Sequence, residues 1–347
     1  MKNSIKEKIE TMQIFNKETR IIHGSEIWQS LLLVALVNMI IPMSVVAVGV
    51  GGEGARTYWK APANTHSVGV GIEFLSGNVN GFNPALPVQG GEMDTTAFVL
   101  DTVSYFDLFG RRNQFTLMLS YGSVDATTTG HSLLEPDVSP KGRADPVMFW
   151  NINLLGAPAQ TLQEYSQWEQ RTIIDAQLSV IAPLGSYDTK QLFNTGTNRW
   201  TFRVAFPFVQ SIGEFVPGKR TTIEFVPSVS FFTDNTEAQR DTVTLAQDPL
   251  YKLEAHVTRD ITKDLWVSLD GLYQHGGETS LDGVEQDNSQ SSLALGFSVA
   301  FAISPKVSFV SSWQNTLTDE EDGLNVNMVW FGLNYHWNTT VKRQAIK

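Results

Sequence analysis

His275 and Ser280 are the pair whose residue types and spacing could support covalent catalysis. His275 ends a predicted strand and Ser280 lies in the loop after it, with the carboxylates of Asp270, Asp282 and Glu285 nearby. A serine hydrolase needs a base within hydrogen-bond reach of the nucleophile and a third group that orients the base. The glycines of this loop provide no rigid support, and the sequence has no G-x-S-x-G elbow. An outer-membrane lipid hydrolase is therefore an alternative, and we favour a solvated loop.

The sequence contains no clear pattern of metal ligands or cofactor-binding residues. The chain has no cysteine, and its six histidines are scattered without paired ligand spacing, which argues against a zinc site. The acidic runs at 282–287 and 319–322 could bind Ca²⁺, but neither matches an EF-hand loop. We predict no cofactor, no metal and no catalytic residue, and we expect both acidic runs to lie in solvated loops.

Charged side chains alternate with bulky apolar ones along several segments. After Tyr251, for example, Lys252, Glu254 and His256 occupy every second position between apolar residues. A β-strand alternates faces, so this pattern predicts one face toward lipid and one toward a watery interior. The same phase predicts a lumen-facing set: Glu73, Asp101, Asp175, Arg203, Glu224, Lys252, Glu254, His256 and Asp270. Charged rings set the ionic preference of a narrow pore, but the same residues could instead fill a small barrel.

The alternation extends over the chain and defines the elements that hold these residues. It predicts twelve strands, an even number that returns both ends to one side of a membrane. Their predicted ranges are 66–77, 95–106, 113–124, 144–156, 171–182, 199–211, 220–232, 249–259, 264–275, 290–302, 306–316 and 325–337. We therefore predict an all-β fold, a closed antiparallel transmembrane β-barrel.

The lengths of the connections support the same fold. Short links, predicted to be periplasmic turns, alternate with long Gly-, Asp-, Asn- and Thr-rich links, predicted to be extracellular loops. The link at 156–170 is an exception, since it is long where a short turn is expected. Tryptophans and tyrosines near strand ends predict interfacial girdles. They are Trp150, Trp168, Trp200, Trp266, Trp313, Trp330 and Trp337, with Tyr58, Tyr105 and Tyr335.

The N-terminal region has the order of a secretory signal. Lys17 and Arg20 precede an apolar run from Ile27, and small residues end the region near Ala47. We predict a signal peptide over 1–47, with an inner-membrane anchor as the alternative. Residues 48–65, which carry Arg56, Tyr58 and Trp59, are predicted to be either a plug in the lumen or a disordered periplasmic lead.

Net charge limits the partners. The formal net charge is −11, and a nucleic-acid partner is therefore not expected, because binding phosphates requires a basic face. The expected surroundings are outer-membrane lipid and lipopolysaccharide. A soluble β-sandwich is an alternative, but it would have to bury charged residues such as Arg203, Lys252 and Glu254.

Several segments are distinctive in combination: 54–62 (GARTYWKAP), 105–111 (YFDLFGR), 153–158 (NLLGAP), 182–187 (APLGSY), 194–200 (NTGTNRW), 231–235 (FFTDN) and 247–249 (QDP). Over about 54–337 the chain resembles a known family of outer-membrane transporters, named for the meta-cleavage pathway of phenol degradation. The resemblance implies a Gram-negative outer-membrane barrel that admits apolar or aromatic compounds. One departure is the tail at 338–347 after Trp337, since such barrels usually end on an aromatic residue that the barrel-assembly machinery recognises.

Together these features predict an outer-membrane channel for passive uptake of small, hydrophobic or aromatic solutes. The alternatives are a structural or adhesion barrel with a filled lumen, and the lipid hydrolase.

Overall fold

The computed structural model describes residues 52–78, 91–128, 140–191, 193–238, 243–317 and 325–339. The predicted signal peptide (1–47), the start of the 48–65 segment, the acidic run at 319–322 and all but the first two residues of the predicted tail lie outside these ranges. In the described part, no helix is both long enough and apolar enough to cross a membrane.

Twelve antiparallel strands form one closed barrel, which confirms the predicted fold class. Each predicted strand corresponds to an observed one, with ends that differ by a few residues. The strands are β1 Thr65–Asn78, β2 Gly91–Leu108, β3 Arg111–Thr128, β4 Val147–Leu155, β5 Thr172–Ile181, β6 in two halves Thr201–Ala205 and Phe208–Ile212, β7 Thr221–Phe232, β8 Leu250–Asp260, β9 Leu265–Gly276, β10 Gln290–Ser304, β11 Val307–Thr316 and β12 Val326–Asn338. A short strand, Lys141–Arg143, pairs with β3 beside them.

Pairing of the first and last strands closes the ring. The register of β1 with β12 runs without a break from Thr65↔Asn338 to Gly77↔Val326, so no edge of this sheet is left open at the seam. Strand β6 is interrupted at Phe206 and Pro207, because proline has no N–H to donate to the ladder. Both halves of β6 still pair with β5 and β7.

Alternation separates an apolar outside from a filled inside. Large apolar side chains such as Val70, Phe98 and Leu269 are 56%, 60% and 70% exposed, whereas the residues between them on each strand are buried. An apolar belt around a closed β-barrel is the structure that a lipid bilayer requires. The chain is therefore a transmembrane β-barrel in architecture, the type that outer-membrane proteins of Gram-negative bacteria have.

The connection between β2 and β3 shows how the chain reverses at the predicted periplasmic end. Leu108 pairs with Arg111, so only Phe109 and Gly110 form the turn, with φ of 54° and 73°. Two positive φ values are typical of the type I′ turn, whose twist matches that of antiparallel strands. The Gly110 N–H also donates to Asp107 Oδ1 over 2.9 Å.

The exceptional link at 156–170 has structure of its own. Gly156 begins it with φ of 88°, and a side chain there would collide with the Thr172 carbonyl. A helical turn, α1 (Leu162–Tyr165), follows and is closed by a capping box between Thr161 and Glu164. The Thr161 backbone N–H and hydroxyl both donate to the Glu164 carboxylate and lower its pKa, which keeps it ionised at neutral pH.

Two of the predicted long loops are more ordered than expected. Residues 235–237, 243–247, 279–281 and 284–285 pair as a second, four-stranded sheet, with Ala238 and Leu245 buried against Val243 and Leu281. The Gly- and Asp-rich composition indicated loops, but pairing between two separate links can compensate for weak local strand propensity.

Candidate functional site

The barrel interior is occupied by the chain's own N-terminal segment, defined here as residues 52–64. From Ala55 to Ala61 every residue is at most 2% exposed. The segment precedes β1, and most of the strand side chains that contact its polar groups belong to β5 to β8. Its polar contacts occur at three levels, set by Glu53, Arg56 and Lys60, none of which was in the predicted lumen set.

Glu53 forms the first level. Its carboxylate pairs with Arg203 of β6, which also contacts Glu254 of β8 at 3.1 Å. The backbone N–H of Glu53 donates to Glu254 Oε2 over 2.7 Å, and Gln177 donates to Glu53 Oε2 over 2.7 Å. The Tyr58 hydroxyl also donates to Glu53. Burial and the Glu53 carboxylate raise the pKa of Tyr58 well above its ordinary value, so the hydroxyl stays protonated as the donor.

Arg56 forms the second level. Its guanidinium lies 2.8 Å from Asp260 and donates from Nε to Thr258 over 3.1 Å. Its backbone N–H donates to Glu224 over 3.1 Å. The same guanidinium stacks 4.0 Å from the Trp59 ring centroid and 4.6 Å from that of Trp266. Burial lowers the pKa of Arg56 to about 10, which leaves it charged at neutral pH.

Lys60 forms the third level. Its ammonium pairs with Asp175 of β5, and both side chains are fully buried. Asn153 donates to the other oxygen of Asp175 over 2.8 Å, so the carboxylate has a second partner. Buried charges need this degree of compensation, because their desolvation costs several kcal/mol.

The exceptional link at 156–170 covers the end of the segment. Ala63 N–H donates to Gln160 O over 3.2 Å, and the Tyr165 hydroxyl donates to the Lys60 carbonyl. Arg112 of β3 connects the segment to the link, since its guanidinium donates to the carbonyl of Ala61 in the segment and, over 3.0 Å, to that of Pro158 in the link. The unusual length of this link is therefore explained by a structural task, the enclosure of residues 60–63.

Apolar side chains also face the lumen, which the sequence analysis did not predict. They form one cluster with Ala55 of the segment, and we call the strand residues in it the apolar layer. Its main members are Val99, Met118, Phe149, Trp266, Val310 and Trp330. They come from six different strands, β2, β3, β4, β9, β11 and β12, and together they contact Ala55 of the segment.

Two predicted girdle tryptophans belong to this layer, so their assignment to the membrane interface was wrong. Trp266 and Trp330 are only 9% and 2% exposed. Tyr58 and Tyr105 are also buried inside, whereas Trp200 is 42% exposed on the outside. Strand phase carried the missing signal: Phe331 and Leu333 point outward in β12, which places Trp330 inward.

The nine predicted lumen residues lie in four groups. Asp175, Arg203, Glu224 and Glu254 contact the N-terminal segment directly. His256 and Asp270 form a network beside it, with His256 Nδ1 2.8 Å from Asp270 Oδ1 and Ser298 donating to Asp270 over 2.6 Å. Lys252 is half-buried on the same face of β8. Glu73 and Asp101 are buried on the opposite wall, and in the described part of the chain neither forms an ion pair.

The residues of the hydrolase alternative are not assembled. His275 is exposed at the end of β9, and Ser280 pairs with Ala246 and Glu285 in the small outer sheet. No hydrogen bond joins His275 to Ser280 in the described structure. In the same ranges, no group of three His, Asp or Glu side chains is arranged to hold a metal ion.

Comparison with solved structures shows the same fold elsewhere. The crystal structure of an outer membrane channel from Pseudomonas putida F1 matches with a TM-score of 0.67 at 16% identity, covering 83% of this chain and 100% of that chain. The β domain of the Bordetella autotransporter BrkA gives 0.43 at 11% identity, covering 78% and 99%. A TM-score below 0.5 does not inform the fold of this chain. No curated protein matches the chain in sequence.

Sequence comparison shows the family. The family model described as "Putative MetA-pathway of phenol degradation" matches residues 76–331, which is most of the barrel. This agrees with the resemblance noted in the sequence. The chain therefore belongs to the family described as "Putative MetA-pathway of phenol degradation".

Proposed function

We propose that this protein is an outer-membrane channel for the passive uptake of small apolar or aromatic compounds. Its barrel fold and its family support a channel role. The apolar layer is the observation that favours apolar solutes, because a lumen built only to conduct ions gains nothing from Phe149, Trp266 and Trp330 on its inner face. An apolar lumen surface favours apolar solutes, because transferring them out of water costs little or no free energy.

The N-terminal segment acts as a plug in this proposal. Beside Gly52 and Gly54 lies a cavity of about 20 Å³, lined by His256, Asp270 and Ser312 among others. A space of that size holds about one water molecule and no aromatic ring. In this proposal the segment moves before an aromatic solute passes. The lumen charges then have two roles: they hold the plug, and they remain along the path when it leaves.

The proposed partners follow from the two surfaces of the barrel. Outer-membrane lipid and lipopolysaccharide contact the apolar belt and the outer loops, and small apolar or aromatic solutes contact the lumen. The barrel-assembly machinery inserts the chain. We propose no nucleic-acid partner and no cofactor.

A structural or adhesion barrel with a filled lumen is the second candidate. The fully buried Lys60–Asp175 pair favours it, since such an arrangement also suits a permanently closed interior.

Uptake into proteoliposomes separates the two candidates. Refolded full-length protein and a Glu53→Ala/Arg56→Ala variant, which removes the first two levels of contacts, would be compared for entry of phenol and of glucose. A channel admits phenol in the wild type and admits it faster in the variant. No protein-dependent entry with either protein would contradict the channel and favour the filled barrel.

A further inference from the structure

Trp59 of the N-terminal segment lies in an aromatic site built by the barrel. The side chain is 1% exposed. The Phe215 ring lies 5.5 Å from it, centroid to centroid, and the Arg220 guanidinium lies 5.2 Å from its centroid. Its indole N–H donates to Glu224 Oε1 over 3.0 Å. We call Phe215, Arg220 and Glu224 the Trp59 cradle.

The cradle recognises two features of its occupant. Phe215 and Arg220 contact the faces and edges of a planar ring, by aromatic packing and cation–π attraction. Glu224 is fully buried and accepts from the indole, from the Arg56 backbone N–H at 3.1 Å and from Thr222 at 3.2 Å. An ionised carboxylate is only an acceptor, so the matching ligand is an aromatic ring that carries one N–H or O–H donor.

The cradle and its occupant come from separate parts of the chain. Phe215 and Arg220 lie in or next to the turn between β6 and β7, and Glu224 lies on β7, whereas Trp59 belongs to the segment. When the segment leaves, the cradle stays with the barrel wall. It then offers a ring-sized apolar surface, a cation and a carboxylate that has lost two of its donors.

We propose that the Trp59 cradle is a binding site for neutral hydroxylated aromatic solutes, and that Trp59 fills it as an internal mimic of that ligand. This inference rests on the proposed function. A phenolic ring replaces the indole, and its hydroxyl donates to Glu224 in place of the indole N–H. Because the solute binds only the barrel from which Trp59 has left, it shifts the population toward the released segment.

The absence of cysteine from the chain allows a direct test. In Thr57→Cys the single thiol lies on the segment, at a position that is fully buried, so a maleimide labels it only after the segment has moved. Phenol should accelerate labelling saturably, on the order of tenfold, as expected for coupled binding. Toluene, which lacks the hydroxyl, should act more weakly. Cyclohexanol, which lacks the aromatic ring, should have no effect.

Variants of the cradle sharpen the test. Adding Glu224→Leu, which has no side-chain acceptor, to the cysteine protein should remove the advantage of phenol over toluene. Phe215→Leu is the second variant, for use if the first does not refold, because Phe215 lies outside the strands. It should raise the phenol concentration that gives half of the maximal acceleration of labelling. Equal acceleration by cyclohexanol and phenol, or none by phenol, would overturn the inference.

Phenol uptake by the same liposomes separates this inference from the proposed function. Uptake without accelerated labelling contradicts the cradle and leaves the channel. Accelerated labelling without uptake supports the cradle as a binding site and contradicts the channel.

Discussion

Lys60 of the N-terminal segment and Asp175 of β5 form an ion pair in which neither side chain is exposed to solvent. The two residues are 115 positions apart in the sequence. The pair therefore joins the segment to the wall of a barrel that is otherwise held by neighbouring strands.

Removing one partner of this pair should release the segment. Lys60→Ala leaves the Asp175 charge buried without a cation, which costs about 3–5 kcal/mol and corresponds to a more than hundredfold larger open population. The labelling rate of the Thr57→Cys thiol measures that population. Lys60→Ala/Asp175→Ala should recover much of the loss. Lys219→Ala, whose partner Glu214 is 72% exposed, is the control and should change nothing.

Arg203 should control how readily the lumen opens, because it binds Glu53 and Glu254 together. Arg203→Met keeps much of the side-chain volume and removes both ion pairs. We expect phenol uptake into liposomes to rise several-fold. Arg171→Met is the matched control, since Arg171 and its partner Glu169 are more than half exposed. Unchanged uptake in Arg203→Met would show that this level does not hold the segment.

The apolar layer should determine which solutes pass. Val310→Asp places an unpaired carboxylate in the layer, which costs several kcal/mol when buried. It should lower phenol uptake by roughly tenfold or more. Ser312→Asp adds the same charge on the same face of β11, two residues away and outside the layer, and should have a smaller effect. An equal loss of phenol uptake in both variants would show that any added lumen charge lowers uptake, and would contradict a specific role of the apolar layer.

Gly156 should be needed to fold the link over the segment. Gly156→Ala is disfavoured for two reasons: the backbone φ is 88°, and the new Cβ would collide with the Thr172 carbonyl. Gly213→Ala has a similar φ of 72° but open space, so it measures the conformational cost alone, about 1 kcal/mol. Limited proteolysis should cut the 157–168 region faster in Gly156→Ala only. Similar cleavage in both variants would show that the carbonyl contact is unimportant.

The barrel could be predicted from the sequence because its signal is local. Alternation of Tyr251, Leu253 and Val257 with Lys252 and Glu254 is visible within a few residues, and the strand β8 follows from it. The phase also selects which charged residues face inward.

The contents of the lumen could not be predicted in the same way. Glu53 and Glu254 lie 201 positions apart, and no local pattern links them. The sequence indicates that Arg56, Tyr58 and Trp59 could form a plug, but a disordered lead is equally compatible with it, because burial of this segment depends on partners from distant strands. The residue type of Trp266 and Trp330 predicts the membrane interface, whereas their strand phase places them inside the barrel.

The separation between the segment and its partners has a consequence for biogenesis. Contacts between distant residues close large loops, and their entropic cost delays their formation. The hairpins of the barrel, by contrast, join neighbours in sequence. The segment should therefore enter the lumen, from the periplasmic mouth, after these hairpins have formed. Every newly inserted molecule would then pass through an unsealed state, and its lifetime would set how leaky the outer membrane is during growth.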